Sequence, residues 1–255
     1  MARLPSRTAI VTGAAGGIGY AIALRLAEEG ANVALADIDG EGAHFAAETL
    51  RQRELSAVGI AHDVTSADDW QTVFATAAAQ FGKVDILVNN AGLALVASIE
   101  DVSFEDWRRI LSVNLDGVFL GTQAAIAVMK QRGGSIINLS SIRALVGDPM
   151  SVAYDASKAG VTALTRSSAL HCAKQGYGIR INSIHPSYVM TDMVRNAIEA
   201  MPNSDEIFRS LIERHPVGRL GDARDIANAA LFLASDESAF IVGTQIVIDG
   251  GYCAQ

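Results

Sequence analysis

Cysteine is nearly absent: Cys172 and Cys253 are the only two in 255 residues, too few for a disulfide framework and in no metal-ligand spacing. Both are expected to be ordinary thiols in a reducing, cytoplasmic setting, and no bound metal is expected. Positive charge is scarce too. Lys and Arg number 20 against 28 Asp and Glu, a formal net charge of −8 with a pI of about 5.1, so the basic footprint of a nucleic-acid or anionic-membrane binder is missing. Small molecules are the expected partners. There are only five prolines, and no Pro/Gly/Ser-rich linker, repeat or low-complexity tract divides the chain, so 1–255 reads as one domain. Long apolar runs are also lacking: residues 8–24 are uncharged, but four glycines interrupt them and they fall short of a membrane span. The start, MARLPSRTAIVTG, lacks the apolar core and cleavage site of a secretory signal.

Half of the residues are hydrophobic and the mean hydropathy is +0.25, enough for a sizeable core. The value also suggests apolar surface buried between subunits, although a core of Ala and Gly accounts for much of it. Short β-branched runs alternate with Ala-rich stretches of helical length: TAIVTG, YAIALRLAEEG, ANVALADI, then VDILVNNAG, GSIINLSS, IRINSIHP and TQIVIDGG. Strands buried on both faces and separated by helices predict parallel βαβ units and an α/β, doubly wound sheet. The segment from about 189 to 217 breaks that rhythm and reads as an insertion between a strand and the next helix.

The first strand runs into TGAAGGIG, residues 12–19, and a helix follows. Glycines here allow a tight turn and the close approach of backbone N–H groups to a pyrophosphate. Asp37 ends the second strand eighteen residues after Gly19, where a carboxylate can bind ribose hydroxyls and repel a 2′-phosphate, which favours NAD over NADP. Both features have structural alternatives: a packing turn for the glycines and a solvated strand-end acid for Asp37. Further on, Tyr154 and Lys158 in SVAYDASKAG lie four apart, on one face of a helix.

With TGAAGGIG, NNAG at 89–92 and YDASK at 154–158 in this order, and with VNLDGVF, NLSS and VIDGG between and after them, the sequence resembles the short-chain dehydrogenase/reductase family over essentially its whole length. The stretch KQGYGIRINSIHP resembles corresponding stretches of bacterial secondary alcohol and hydroxysteroid dehydrogenases. The resemblance implies a single-domain Rossmann-like sheet of about seven strands with helices on both faces. It also implies an oxidoreductase moving a hydride between NAD(H) and a hydrophobic secondary alcohol or ketone. Asn114, Ser141, Tyr154 and Lys158 are then the catalytic set. The cofactor contacts it implies are Gly13, Gly17, Ile18 and Gly19 in the turn, Asp37, Asp63 and Val64, and Asn90, Ala91 and Gly92. Tyr154 and Lys158 belong to this group as well, with Pro186, Val189 and Thr191.

Tyr has a free pKa of about 10, so useful basicity near neutral pH requires lowering it by about 4 kcal/mol. A unit charge about 4–5 Å away supplies most of that at an effective dielectric near 20, and Lys158 is expected to be its source. Structural alternatives exist for Asn114 as a satisfied amide, Ser141 as a turn residue, and Asp63 as a cap of the following helix. Ser140, one residue from Ser141 on a strand end, is expected to point elsewhere.

One departure stands out. The family pattern after the sixth strand is usually Pro-Gly, and here it is Pro186-Ser187, costly only if φ there must be positive. Leu93, Ile142, Arg143, Tyr188, Met190 and Met193 are expected to line a mostly apolar substrate pocket, with Arg143 either facing solvent or pairing with an anionic substrate group. A 3-oxoacyl-carrier-protein reductase and a non-catalytic NAD sensor are the alternative functions. By family analogy the assembly is expected to be a homotetramer.

Overall fold

The computed structural model describes residues 2–199 and 202–255. In chain order the strands are β1 (Thr8–Thr12), β2 (Asn32–Asp37), β3 (Ala57–Ala61), β4 (Ile86–Asn89), β5 (Gly134–Leu139), β6 (Ile179–Pro186), β7 (Val189–Met190), β8 (Gly221–Asp222) and β9 (Gln245–Ile248). The helices are α1 (Gly17–Glu28), α2 (Gly40–Arg51), α3 (Ala67–Phe81), α4 (Phe104–Leu111), α5 (Gly117–Met129), α6 (Val152–Lys174), α7 (Asp192–Glu199), α8 (Ser204–Glu213) and α9 (Ala223–Ala234).

Strand β1 is buried along its whole length, which requires cover on both faces of the sheet. Its side chains alternate accordingly. Ala9 and Val11 enter one apolar layer with Leu26, Leu50 and Leu231, while Ile10 enters the other with Trp70, Phe74, Met129 and Ile136. The same period of two sends Val33 and Leu35 of β2 one way and Ala34 and Ala36 the other. Helices α1, α2 and α9 form the first layer, and α3, α5 and α6 the second.

Seven strands pair in parallel in the order β3-β2-β1-β4-β5-β6-β9. From β1 the chain winds outward through β2 and β3, then returns to lay β4 on the opposite side. The crossovers beside β1 and β4 therefore diverge, and a crevice opens at the carboxyl ends of those strands. The doubly wound single domain read from the alternating runs is the observed one. Between β6 and α9 the chain leaves the sheet for β7, α7 and α8, and β8 carries the excursion on to Asp222; β7 and β8 pair with each other in a separate two-stranded ribbon. Helix α4, a π-helical turn at Ser112–Asp116 and α5 run on as one helical stretch. That stretch, Phe104–Met129, is long and apolar enough by composition to cross a bilayer, and its Ala125 and Met129 lie in the second apolar layer.

Side chains cap several helices at their N-termini: Asp39 caps α2, Ser66 α3, Ser103 α4 and Asp222 α9. Helix α1 differs. It begins after Gly16 with no side-chain cap and no acid in its first turn, so its first N–H groups are left for another acceptor.

Candidate active site

The glycine turn between β1 and α1 borders the crevice. Gly13 and Gly17 have φ of +63° and +56°, in the left-handed region that glycine occupies without a Cβ clash. A Cβ on Gly13 would meet the Ala91 Cα at 2.8 Å, and one on Gly19 would overlap the Gly13 carbonyl oxygen. Across from Gly17, a Cβ would lie 3.5 Å from the Thr191 methyl, so Thr191 faces the turn. Ile18 packs against the first apolar layer. Gly19→Ala is expected to displace the turn and weaken nucleotide binding at least tenfold by calorimetry, with a lowered thermal midpoint.

Asn90 and Ala91 lock that turn to the end of β4. Asn90 Nδ2 donates to the carbonyls of Thr12 (2.9 Å) and Gly13 (3.1 Å), while Thr12 Oγ1 accepts from the N–H groups of Asn90 (3.0 Å) and Ala91 (3.1 Å). Thr12 was not anticipated, although its place at the end of β1 was a signal. Asp37 accepts from Ala15 N–H and Asp39 N–H, each at 3.0 Å. No Lys or Arg occurs in 12–19 or 37–41.

Asp63 accepts from the Thr65 N–H and hydroxyl, both at 2.8 Å. It does not cap α3, because Ser66 does. Val64 is buried, and its carbonyl accepts from Trp70 Nε1 at 2.9 Å. Beyond β6, the Pro186 carbonyl lies 3.4 Å from Ser141 Oγ, and the Val189 carbonyl accepts from Thr191 N–H at 3.0 Å. Among the described residues only Ser6 and Glu54 combine a side chain with positive φ. Ser187 therefore replaces glycine without backbone strain.

Helix α6 sets Tyr154 and Lys158 one turn apart, with Lys158 Nζ 5.5 Å from the Tyr154 ring centroid. Lys158 is 4% exposed and donates to the Leu139 carbonyl at 2.8 Å. Ser141 leaves β5 in extended conformation, with φ −164°, and His185, on β6, donates a ring N–H to its carbonyl at 3.0 Å. Ser140 turns away as expected and hydrogen-bonds the Lys158 carbonyl at 2.9 Å. Asn114 sits in the π-helical turn, a feature that concentrates at functional sites. Its Oδ1 accepts from Leu93 N–H (2.7 Å), and Nδ2 uses both its hydrogens, donating to the Leu93 carbonyl (2.8 Å) and to Ser157 Oγ (3.2 Å). Gly92 lies between this amide and the lysine, since a Cβ there would be 3.2 Å from Asn114 Oδ1 and 3.6 Å from Lys158 Nζ. Asn114, Gly92, Lys158, Tyr154 and Ser141 thus share one site.

Burial pushes the Tyr154 phenol above its ordinary value, opposed in part by the neighbouring Ser141. The direction is opposite to the lowering expected from Lys158 together with an oxidised nicotinamide, and burial is its largest cause. Lys158 is itself pushed down by burial, from 10.5 to about 8. Keeping it charged at neutral pH thus costs the fold about 3 kcal/mol. The folded value lies below the unfolded one, so the native state binds fewer protons between about pH 8 and 10.5 and gains stability as pH rises through that window. Lys158→Met removes the cost and loses a hydrogen bond worth about 1 kcal/mol. Its thermal midpoint is expected to exceed that of the wild type at pH 7, with the advantage gone by about pH 10.

Leu93 is exposed beside the site, and Met190 is half-buried in β7. Ile142, in the 3-10 turn Ile142–Ala144 that follows β5, is 1% exposed. Arg143 does not face solvent. Its side chain is 8% exposed, pairs with Asp148 at 2.9 Å and donates to the Tyr188 hydroxyl at 2.7 Å, so its charge is already matched. The Met193 side chain lies outside the described residues. Two unanticipated rings complete the neighbourhood: Tyr252 lies 6.3 Å from Tyr188, and His215 lies 5.4 Å from Tyr252.

A family model described as enoyl-(acyl carrier protein) reductase matches residues 13–253. An NADP-dependent (R)-specific alcohol dehydrogenase of Lentilactobacillus kefiri is 42% identical over 255 residues, 99% of each chain. A 3-beta-hydroxysteroid dehydrogenase of Comamonas testosteroni is 39% identical over 247 residues, 97% of this chain and 96% of the relative. A D-threitol dehydrogenase of Mycolicibacterium smegmatis is 42% identical over 251 residues, 98% and 94% of the two chains. Full-length similarity of this kind, on a doubly wound sheet with the site at its carboxyl edge, means that the chain belongs to the short-chain dehydrogenase/reductase family, as an oxidoreductase of the secondary alcohol dehydrogenase type.

Proposed function

We propose that the protein oxidises hydrophobic secondary alcohols with NAD, and reduces the matching ketones, with Tyr154 exchanging the hydroxyl proton. The observation that carries this reading is the buried Lys158 ammonium 5.5 Å from the Tyr154 ring, with Ser141 acting to lower the phenol against burial. A solvated surface pair would need neither the burial nor the serine.

The residues present fit a dinucleotide. The uncapped start of α1 and the glycine cradle that a Cβ at Gly13 or Gly19 would fill suit a pyrophosphate. Asp37 would take the adenosine ribose hydroxyls, Asp63 and Val64 would flank the adenine, and Asn90 to Gly92 would border the bound molecule. Pro186, Val189 and Thr191 would border the nicotinamide, and Lys158 would hold its ribose. When bound, the oxidised cofactor accepts the hydride from the carbinol carbon and brings a positive charge near the phenol. Tyr154 takes the hydroxyl proton, Ser141 donates a hydrogen bond to the substrate oxygen, and Asn114 clamps the Leu93 backbone at the edge of the site.

NAD is favoured by the Asp37 carboxylate and by the absence of any Lys or Arg beside it. The relative from Lentilactobacillus kefiri is NADP-dependent, so this preference is proposed for the present chain alone. The excursion 189–222, with Leu93, Tyr188 and Met190, would hold the substrate. Exposed Phe119, Val128 and Leu170 on α5 and α6 suit a homotetramer with those helices at its interfaces.

The test is ketone formation from cyclic, aryl and steroidal secondary alcohols by the purified protein supplied with NAD, with the product identified. No ketone from any of them, while NAD binds, would replace the dehydrogenase reading with a nicotinamide-sensing one.

A further inference from the structure

Ser187 stands where the family pattern carries glycine, and its hydroxyl has a specific partner. Ser187 Oγ lies 2.9 Å from His215 Nε2, and His215 Nδ1 lies 2.7 Å from the Leu211 carbonyl. A carbonyl only accepts, so Nδ1 carries a proton, and in the neutral ring Nε2 accepts from the serine hydroxyl. His215 is 2% exposed and lies 6.2 Å from Tyr188 and 5.4 Å from Tyr252, ring to ring. One imidazole therefore joins the loop leaving β6, the end of α8 and the C-terminal turn.

Glycine at 187 could not make this bond. The loop is otherwise tied to the sheet side by Ser187 N–H to the Ile248 carbonyl at 3.2 Å, to β8 by Gly221 N–H to the Tyr188 carbonyl at 2.9 Å, and to Arg143 through the Tyr188 hydroxyl at 2.7 Å. None of these reaches α8. A cavity of about 280 Å³ bordered by Ser187, His215, Val217, Leu220 and Ile248 adjoins the pair, so close packing on that side cannot set its geometry. A directional hydrogen bond can, and its loss would leave a buried imidazole nitrogen without a donor.

We propose that Ser187 and His215 are a positioning pair. Together they hold the end of α8 against the loop leaving β6, beside the Tyr188 ring, and so set how tightly the alcohol is held rather than how fast it reacts. The proposal rests on the dehydrogenase reading above.

Ser187→Ala is expected to raise the KM for a secondary alcohol about fivefold to tenfold, with kcat within about twofold. Ser187→Thr keeps the hydroxyl and is expected to stay within about twofold of the wild type in both constants. The double variant Ser187→Ala/His215→Phe should match His215→Phe alone, because the bond is already lost there. Amide hydrogen exchange over 204–213 should quicken in the alanine variant and not in the threonine one. An unchanged KM in Ser187→Ala, equal effects of alanine and threonine, a fall in kcat alone, or additive losses in the double variant would overturn the pairing. If the wild type oxidises no alcohol, the dehydrogenase reading fails by itself, and the exchange comparison still decides whether the pair holds α8.

Discussion

Tyr154→Phe is expected to lower kcat for alcohol oxidation by about a thousandfold while leaving NAD affinity within about twofold. The substitution removes one oxygen from a ring that is otherwise retained, and general acid–base catalysis is worth about 10²–10⁴ in rate. The chain itself leaves the phenol protonated, because burial raises it. Oxidation therefore needs it deprotonated and should rise with pH, whereas ketone reduction needs the proton and should fall. Ser141 acts against that burial to lower the phenol, so Ser141→Ala should move the rising, acid-side limb of the oxidation profile to higher pH as well as lower its plateau. Parallel pH profiles of kcat/KM for the wild type and Ser141→Ala check this. Coincident limbs would mean that Ser141 acts on the substrate alone.

Asp37→Ser is expected to erase the nucleotide preference. A 2′-phosphate about 5 Å from a carboxylate is repelled by about 3 kcal/mol per unit charge at an effective dielectric of 20, and exposure at the mouth of the crevice reduces that. A preference for NAD over NADP of about a hundredfold in kcat/KM follows, falling to within about threefold in the serine variant. Adding Ile38→Arg should invert it, because Ile38 is 78% exposed and an arginine there would reach a phosphate without burying its own charge. Serine can still accept one of the two backbone N–H groups that Asp37 holds, so the turn should survive. Kinetics with both nucleotides decide the point, and an unchanged ratio in Asp37→Ser would place the discrimination elsewhere.

Much of this architecture was legible along the chain for a simple reason. Strands covered on both faces are mostly apolar at successive positions, and the runs AIV of β1, VALA of β2 and II of β5 carry that signature. Residues at the strand ends, from Gly13 to Ser141, then fall on one edge of the sheet. What escaped notice depends on contacts between distant segments. Two-residue strands such as β7 and β8 are too short for any period to show. Ile142 is buried in the 3-10 turn that follows the strand end, which alternation does not foresee. Arg143 found Asp148 and Tyr188 through folding of a loop, and the upward shift of Tyr154 reflects burial, a property of the whole site.

The most direct test is the rate of NADH formation from NAD and a secondary alcohol, with NADP run in parallel and Tyr154→Phe beside the wild type. Expected is turnover with NAD at least tenfold above that with NADP, lost in the phenylalanine variant although NAD still binds. A Tyr154→Phe protein that keeps wild-type turnover would contradict the assignment of proton exchange to that hydroxyl.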